Sequence, residues 1–112
     1  MARGDLPATV INRGGVAAAA EHDGDSVNGH QFTNANGDVV LLVRNADGSN
    51  PHTVTIHVHQ QVDGQSVASR AVAVPASSSK YFGPFPPGVY GSPVLVDADS
   101  AQLKLSTYQV PR

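Results

Sequence analysis

Residues 52–59 read HTVTIHVH, and apolar and polar side chains alternate along them without a break. Val54, Ile56 and Val58 therefore share one face of an extended chain, and the threonines and histidines share the other. A period of two with one apolar face is typical of a half-buried strand in an antiparallel sheet. This stretch sets the expectation for the rest of the chain.

On either side of it, other segments are rich in β-branched residues and bounded by Gly, Asn, Asp or Pro, and these predict further strands. They cover residues 8–11, 39–44, 67–74, 94–97 and 103–108. The alanine-rich run at 16–20 is too short for a stable helix and is interpreted as a strand or an extended arm. Short strands at roughly ten-residue spacing predict an all-β fold: a single antiparallel β-sandwich of about seven or eight strands, immunoglobulin-like or jelly-roll-like.

Two polar linkers, residues 45–51 and residues 62–65, are predicted to be hairpin connections between strands. The second carries the stronger signal, because it contains Asp63-Gly64, a pair that favours a tight hairpin turn.

Two segments fall outside the strand pattern. Residues 1–12 are predicted to form an extended N-terminal arm, and residues 21–38 a long polar loop that Phe32 anchors to the core. Loops of that length in a small domain are usually functional or mobile. Removal of residues 2–12 is expected to leave the sandwich folded.

The composition excludes several classes of protein. The 112 residues form one domain, residues 1–112, with room for a single core, and the absence of cysteine excludes disulfides and thiolate metal sites. A net charge of −2 with 14% charged residues provides no basic patch, so no nucleic-acid partner is expected. There is no stretch of about 18 apolar residues and no leader pattern, so no membrane partner is expected and the protein should stay soluble after synthesis in the cytoplasm.

Two patterns are only weakly similar to metal sites. His57 and His59 are two residues apart on one strand face, as in a strand-borne metal site, but the sequence indicates no third ligand. Histidines exposed on a sheet face, at a subunit contact, are the alternative. Residues 23–34 contain aspartate and glycine as a calcium loop does, but the Asn and Gly stand one place late and the twelfth position is Asn34 rather than Glu. The sequence therefore predicts no metal and no other cofactor.

Short motifs elsewhere have simple structural explanations. Arg3-Gly4-Asp5 spells an adhesion tripeptide, but so short a match arises by chance. Pro84 and Pro87 match the minimal polyproline ligand pattern, yet the aromatic residues around them favour a segment packed on its own core. Serines 77–79 lack a nucleophile elbow and any histidine or carboxylate at a known spacing. The sequence therefore predicts that the protein is not an enzyme.

Four segments carry a resemblance to a known family. Residues 41–45 read LLVRN, residues 54–56 read VTI, residues 62–76 read VDGQSVASRAVAVPA, and residues 83–90 read GPFPPGVY. In this order they resemble small head-region proteins of tailed phages and prophages of actinobacteria, whose pattern is V-x-V-x-N, V-T-I, VDG…A-x-R-x-V-x-VPA and GPFPP…Y. The first valine of that pattern is replaced by leucine here. The resemblance covers about residues 38–108, and GPFPP is its most specific part.

The resemblance implies a capsid decoration or head-accessory protein on the exterior of the virion. Its partner would be the major capsid protein, with self-association into a trimer or another oligomer on the capsid lattice. The contacts are expected from the arm, the polar loop and the tip of the proline segment: Arg3, Asp5, Leu6, Pro7, Val10, Phe32, Pro86 and Pro87. Two alternatives remain at this point: a ligand- or carbohydrate-binding β-sandwich module, and another virion part such as a connector or tail protein.

Overall fold

The computed structural model describes residues 3–18, 21–34, 36–58, 61–66 and 68–110. In this part of the chain there are twelve strands and one helical turn. In chain order they are β1 Gly4–Asp5, β2 Ala8–Val10, β3 His22–Asp23, β4 His30–Phe32, β5 Val39–Asn45, β6 His52–Ile56, β7 Gln61–Val62, β8 Gln65–Ser66, β9 Arg70–Val74, β10 Ser79–Phe82, α1 Pro87–Tyr90, β11 Val94–Ala98 and β12 Leu103–Gln109.

Ten of these strands form two sheets that pack face to face, so the predicted β-sandwich is confirmed. Sheet A has the order β1-β4-β11-β6-β9, and sheet B has the order β10-β5-β12-β2 with β3 also paired to β12. The longest ladder in sheet B joins β5 to β12, from Leu103 opposite Asn45 to Gln109 opposite Val39. Pairing is antiparallel except at β1 with β4 and β2 with β12, which are parallel, so both sheets are mixed rather than purely antiparallel.

The core lies between the sheets and consists of the side chains that alternate inward along the strands. β5 supplies Val39, Leu41 and Val43, and β12 supplies Leu103 and Leu105, all of them buried. Sheet A contributes the facing layer from β6, β9 and β11: Val54, Ile56, Val74, Val94, Val96 and Ala98. Burial of each such side chain contributes about 1.5–3 kcal/mol relative to exposure, which is why the period of two in the sequence identifies the inward faces.

Of the two predicted hairpins, one is confirmed and one is wrong. Asp63 and Gly64 have positive φ, 54° and 78°, and form the tight turn between β7 and β8. The linker after β5 is not a hairpin, because β5 pairs with β10 and β12 in sheet B whereas β6 lies in sheet A. Asn45 directs this crossing: its buried side-chain amide donates to the carbonyl oxygens of Asn50 and Val74, each at 3.0 Å.

The proline segment packs on the protein's own core, as its aromatic residues predict. Phe85 is buried, with its ring centroid 5.5 Å from that of Phe32 and 5.2 Å from that of Tyr90 in an edge-on contact. The single helical turn α1 begins with Pro87, a position where proline is tolerated because the first backbone N–H of a helix has no partner.

The predicted polar loop at 21–38 is partly wrong. It contains two short strands: β3 pairs with β12, and β4 pairs with β11. Phe32 at the end of β4 is 2% exposed, which confirms that it anchors this stretch to the core. The polar composition hid these strands because each is only two or three residues long.

The predicted arm is extended, but residues 3–11 lie on the protein's own sheets. β1 extends the edge of sheet A and β2 extends the edge of sheet B. Leu6 stands between these two strands and is 2% exposed, as a member of the core. The residues that follow, 12–18, are exposed and form no strand, so the predicted strand or arm at 16–20 has no strand in its described part. Residues 19 and 20 lie outside the described residues.

Candidate partner-binding surface

Two tyrosines flank the central strand of sheet B on its outer face. Tyr81 on β10 is opposite Leu42 of β5, and Tyr108 on β12 is opposite Val40 of β5. Because paired residues in a ladder project to the same side, all four side chains are on the face that points away from the core. With strands about 4.8 Å apart, the two tyrosines stand on strands about 10 Å from each other, with Val40 and Leu42 between them.

The chain after β2 and the residue after β12 complete a groove around these tyrosines, with a volume of about 500 Å³. Its apolar lining consists of Ile11, Val16, Ala18, Val40, Tyr81, Tyr108 and Val110. We refer to it as the Tyr81 groove. Two smaller cavities adjoin it through Val110, one beside Arg13 and the other beside Pro84.

Exposed apolar side chains are concentrated at this groove. Among the described residues, five large apolar side chains are exposed, and three of them, Val16, Tyr81 and Val110, line the groove. Tyr81 is 72% exposed. Its ring has a large apolar area and its hydroxyl can hydrogen-bond, and both properties favour partner contacts. A contiguous apolar patch of this kind on an otherwise polar surface is typical of a protein-binding site.

A second cluster lies on the outer face of sheet A, around Asp97. His57 Nε2 is 2.6 Å from Asp97 Oδ2, and Arg3 Nη1 donates to Asp97 Oδ1 at 2.7 Å. Burial raises the pKa of Asp97, but the hydrogen bonds from His57 and Arg3 outweigh it and keep this pKa below its ordinary value. Asp97 is therefore an anion whose two oxygens are both in use.

Ser69 Oγ is 3.3 Å from His57 Nδ1, so Ser69, His57 and Asp97 form one chain of hydrogen-bonded side chains. A carboxylate can only accept, so His57 Nε2 carries a hydrogen and donates it to Asp97, and Nδ1 faces the serine. This chain of hydrogen bonds lies on an open sheet face. The side chains of His57 and Asp97 are 37% and 43% exposed, so water competes for each hydrogen bond. The arrangement ties strands together and lacks the dry, preorganised surroundings that activate a serine.

His57 and His59 are the two weak metal-ligand candidates of the sequence. Both ring nitrogens of His57 already have partners, and His59 lies outside the described residues. In the described ranges no three side chains of His, Cys, Asp or Glu are grouped as metal ligands.

Comparison with known proteins gives no match. No protein-family model, curated protein or solved structure matches the chain. The structure of the described residues likewise contains no helix with the length and apolarity needed to cross a membrane.

The calcium-like segment and the adhesion tripeptide are both occupied by internal contacts. Asp25 Oδ1 accepts from the backbone N–H groups of Val27 and Asn28, each at 3.0 Å, and these bonds lower the pKa of Asp25. This carboxylate closes a turn. Arg3 is bound to Asp97, and Gly4–Asp5 is strand β1, so the tripeptide is not displayed on a loop.

The predicted contact residues divide into two groups. Leu6 and Phe32 are buried, so their assignment to a partner surface is wrong: their side chains pack in the core. The others retain some exposure and stay predictions: Arg3, Asp5, Pro7, Val10, Pro86 and Pro87.

Sequence reasoning missed the Tyr81 groove. One signal was available: Phe82 is apolar and faces the core, so in a strand its neighbour Tyr81 must face outward. The contribution of residues 11–18 had no such signal, because it depends on where the chain crosses sheet B.

Proposed function

We propose that this protein is a bacteriophage capsid decoration protein that binds the outer surface of the major capsid shell and stabilises it, with the Tyr81 groove as its contact surface. The observation that carries the proposal is the collection of exposed apolar side chains around two tyrosines on one face of a β-sandwich. The strand-borne part of the groove, Val40, Tyr81 and Tyr108, lies on a sheet face that needs little ordering to bind a partner.

The residues that carry the family resemblance support this proposal through the fold. Asp63-Gly64 forms the tight turn between β7 and β8, and Phe85 of the GPFPP segment is the middle ring of the aromatic cluster. Both elements therefore have structural roles, one in a turn and one in the core. The groove draws Val40, Tyr81 and Tyr108 from the stretch that the resemblance covers, and its remaining wall from outside it.

A single apolar patch on a protein of this size favours many weak contacts over one strong contact. Burial of a patch of about 400 Å², near the size of the largest apolar patch on a typical monomer, yields about 10 kcal/mol at ~25 cal/mol per Å². Association itself costs about 4–15 kcal/mol, which offsets most of that gain. A single copy would bind weakly, whereas copies joined to one another on a repeating shell would bind strongly through multivalency.

The test measures occupancy on shell particles purified from cells that lack this protein. We expect the wild-type protein to bind, and the double variant Tyr81→Ala, Val110→Ser to lose at least about tenfold in occupancy, because a buried tyrosine anchor is worth about 2 kcal/mol or more. Val27→Ser is the control: it removes an apolar side chain that is even more exposed than Tyr81 and Val110 and lies beside Thr53 and Asp97, outside the groove. All three substitutions are at exposed positions, so stability should change by no more than about 0.5 kcal/mol.

Equal occupancy of the double variant and the wild type would refute the role of the groove. Electron microscopy of particles bearing the wild-type protein then tests the function itself. Copies spread over the whole shell support decoration. Copies confined to one vertex or to the tail indicate a connector or tail part, and a particle without any bound copy indicates a free ligand-binding module.

A further inference from the structure

The N-terminal segment, residues 3–10, closes one side of the sandwich by bridging the edges of both sheets. On sheet A, the backbone N–H of Gly4 donates to Gly29 at 3.1 Å, and that of Leu6 donates to Gln31 at 2.8 Å. On sheet B, β2 pairs with the end of β12, and Thr107 Oγ1 donates to the carbonyl oxygen of Leu6 at 3.0 Å. The Leu6 side chain fills the space between the two edges.

Every one of these contacts joins the segment to the body of the protein. Arg3 adds the same kind of contact, because one guanidinium nitrogen donates to Asp97 and to the carbonyl oxygens of His30 and Val96. A segment whose partners all lie elsewhere in the chain finds an identical set of partners on a second copy. Transfer to that copy would therefore lose none of the contacts.

The residues that connect the segment to the body can act as a hinge. Residues 12–18 are exposed and form no strand. They contain one turn, in which the Gly15 N–H donates to the Asn12 carbonyl oxygen at 3.1 Å. Fully extended, seven residues reach about 25 Å at roughly 3.3–3.6 Å each. That reach equals the shortest dimension of the protein, 25 Å, so a released segment can cross to an adjacent copy.

We propose that the N-terminal segment exchanges between copies, so that residues 3–10 of one chain occupy the slot between the sheet edges of a second copy of this chain. Leu6 is the anchor of the exchanged segment, and β1 and β2 supply its backbone pairing. High protein concentration favours the exchange by mass action, whereas the loss of translational and rotational freedom on association and the release of the hinge oppose it. The proposal concerns the free protein in solution and does not rest on any capsid partner.

The absence of cysteine from the chain permits a direct test. Asp5 and Gln31 are opposite each other in the β1–β4 pair, and Gln31 Nε2 donates to Asp5 Oδ1 at 2.9 Å, so their side chains touch. Chains that carry only Asp5→Cys are mixed with chains that carry only Gln31→Cys, kept reduced to allow exchange, and then oxidised. A disulfide between the two positions forms at high yield only when the segment of one chain lies in the slot of the other.

Two controls fix the interpretation. A single chain with both Asp5→Cys and Gln31→Cys must form a disulfide-bonded monomer when dilute, which proves that the geometry permits the bond. A mixture of Thr53→Cys chains with Ala73→Cys chains measures random collision, because these positions are opposite each other on β6 and β9, which no hinge separates from the body.

We expect the Asp5–Gln31 mixture to give covalent heterodimer at several times the yield of the collision control, and the yield to rise with protein concentration during the reduced incubation. Peptide mapping by mass spectrometry identifies the linked positions. A yield equal to that of the collision control, with the double-cysteine chain forming its internal bond, would overturn the proposal.

Discussion

Asn34 offers the sharpest test of how the proline segment is held in place. It is fully buried, and its side-chain amide donates to the carbonyl oxygen of Phe85 at 2.7 Å and to that of Gly91 at 3.2 Å. These two bonds tie the middle of the GPFPP segment, at Phe85, and the residue after its helical turn, Gly91, to the stretch after β4. Asn34→Ala removes both donors and leaves the two carbonyl oxygens without them.

The magnitude follows from these contacts. A buried polar group left without its partner costs about 1–3 kcal/mol, and the Gly91 bond is the longer and more exposed of the two. Asn34 Oδ1 is itself buried without a partner, so its removal returns part of the loss. The expected loss for Asn34→Ala is therefore about 2–3 kcal/mol in the free energy of unfolding. For a domain of this size that lowers Tm by about 8–12 °C.

Asn34→Asp should be worse at neutral pH, because a buried carboxylate offers only acceptors to two carbonyl oxygens. Acidification protonates this group and restores one donor, so the deficit relative to wild type at the same pH should shrink as pH falls. Urea unfolding followed by circular dichroism measures both variants, with the exposed Asn36→Ala as control. Wild-type stability for Asn34→Ala, or a deficit for Asn34→Asp that is independent of pH, would refute the reasoning.

Two further predictions concern His30 and Gly24. Burial lowers the pKa of His30 from its ordinary 6.5, and its Nε2 accepts the backbone N–H of Asp25 at 2.9 Å, so the ring must be neutral. The unfolded chain binds this proton at higher pH than the folded protein, so the free energy of unfolding is at its full value above pH 6.5 and falls below it by at most about 1.4 kcal/mol per pH unit. In His30→Gln, unfolding curves at several pH values should lose this pH dependence. An unchanged dependence of the free energy of unfolding on pH would contradict the assignment. Gly24→Ala should lower the free energy of unfolding by about 1–3 kcal/mol because its methyl group would clash with the Ser100 carbonyl oxygen. The methyl group of Gly88→Ala enters open space, so this variant should be more stable by about 0.4–1 kcal/mol. Thermal melts that rank the two variants the other way would contradict this.

The parts of the fold that were predictable from the sequence are those set by neighbouring residues. Alternation along residues 52–56 is visible in the sequence because each inward side chain is two residues from the next. The continuous apolar run at 39–43 predicts a strand but does not show which of its side chains face inward. The turn at Asp63-Gly64 is equally local, since both residues accept positive φ.

Sheet membership was not predictable in this way, because a polar linker reads the same whether it turns within one sheet or crosses to the other. The buried amide of Asn45 decides the crossing after β5, and its partner Val74 is far away in the sequence. The parallel pairing of β1 with β4 and of β2 with β12 was equally unpredictable from the sequence. Both strands are at sheet edges, and their own residues contain no information about which edge is free.

The groove and the N-terminal segment are physically coupled. Ile11, Val16 and Ala18, which follow β2, form one wall of the Tyr81 groove, and that wall is positioned by a segment whose anchor, Leu6, lies in the core. Removal of residues 2–12 would therefore take Leu6 from the core and Ile11 from the wall, and would release Val16 and Ala18 from the segment that positions them. The deletion cannot separate folding from binding. Substitution of Tyr81 can, because its ring is exposed and contributes no core contact. The same coupling implies that exchange, which extends residues 12–18 as the hinge, takes Val16 and Ala18 out of this wall. A partner that binds the complete groove would therefore favour the unexchanged arrangement.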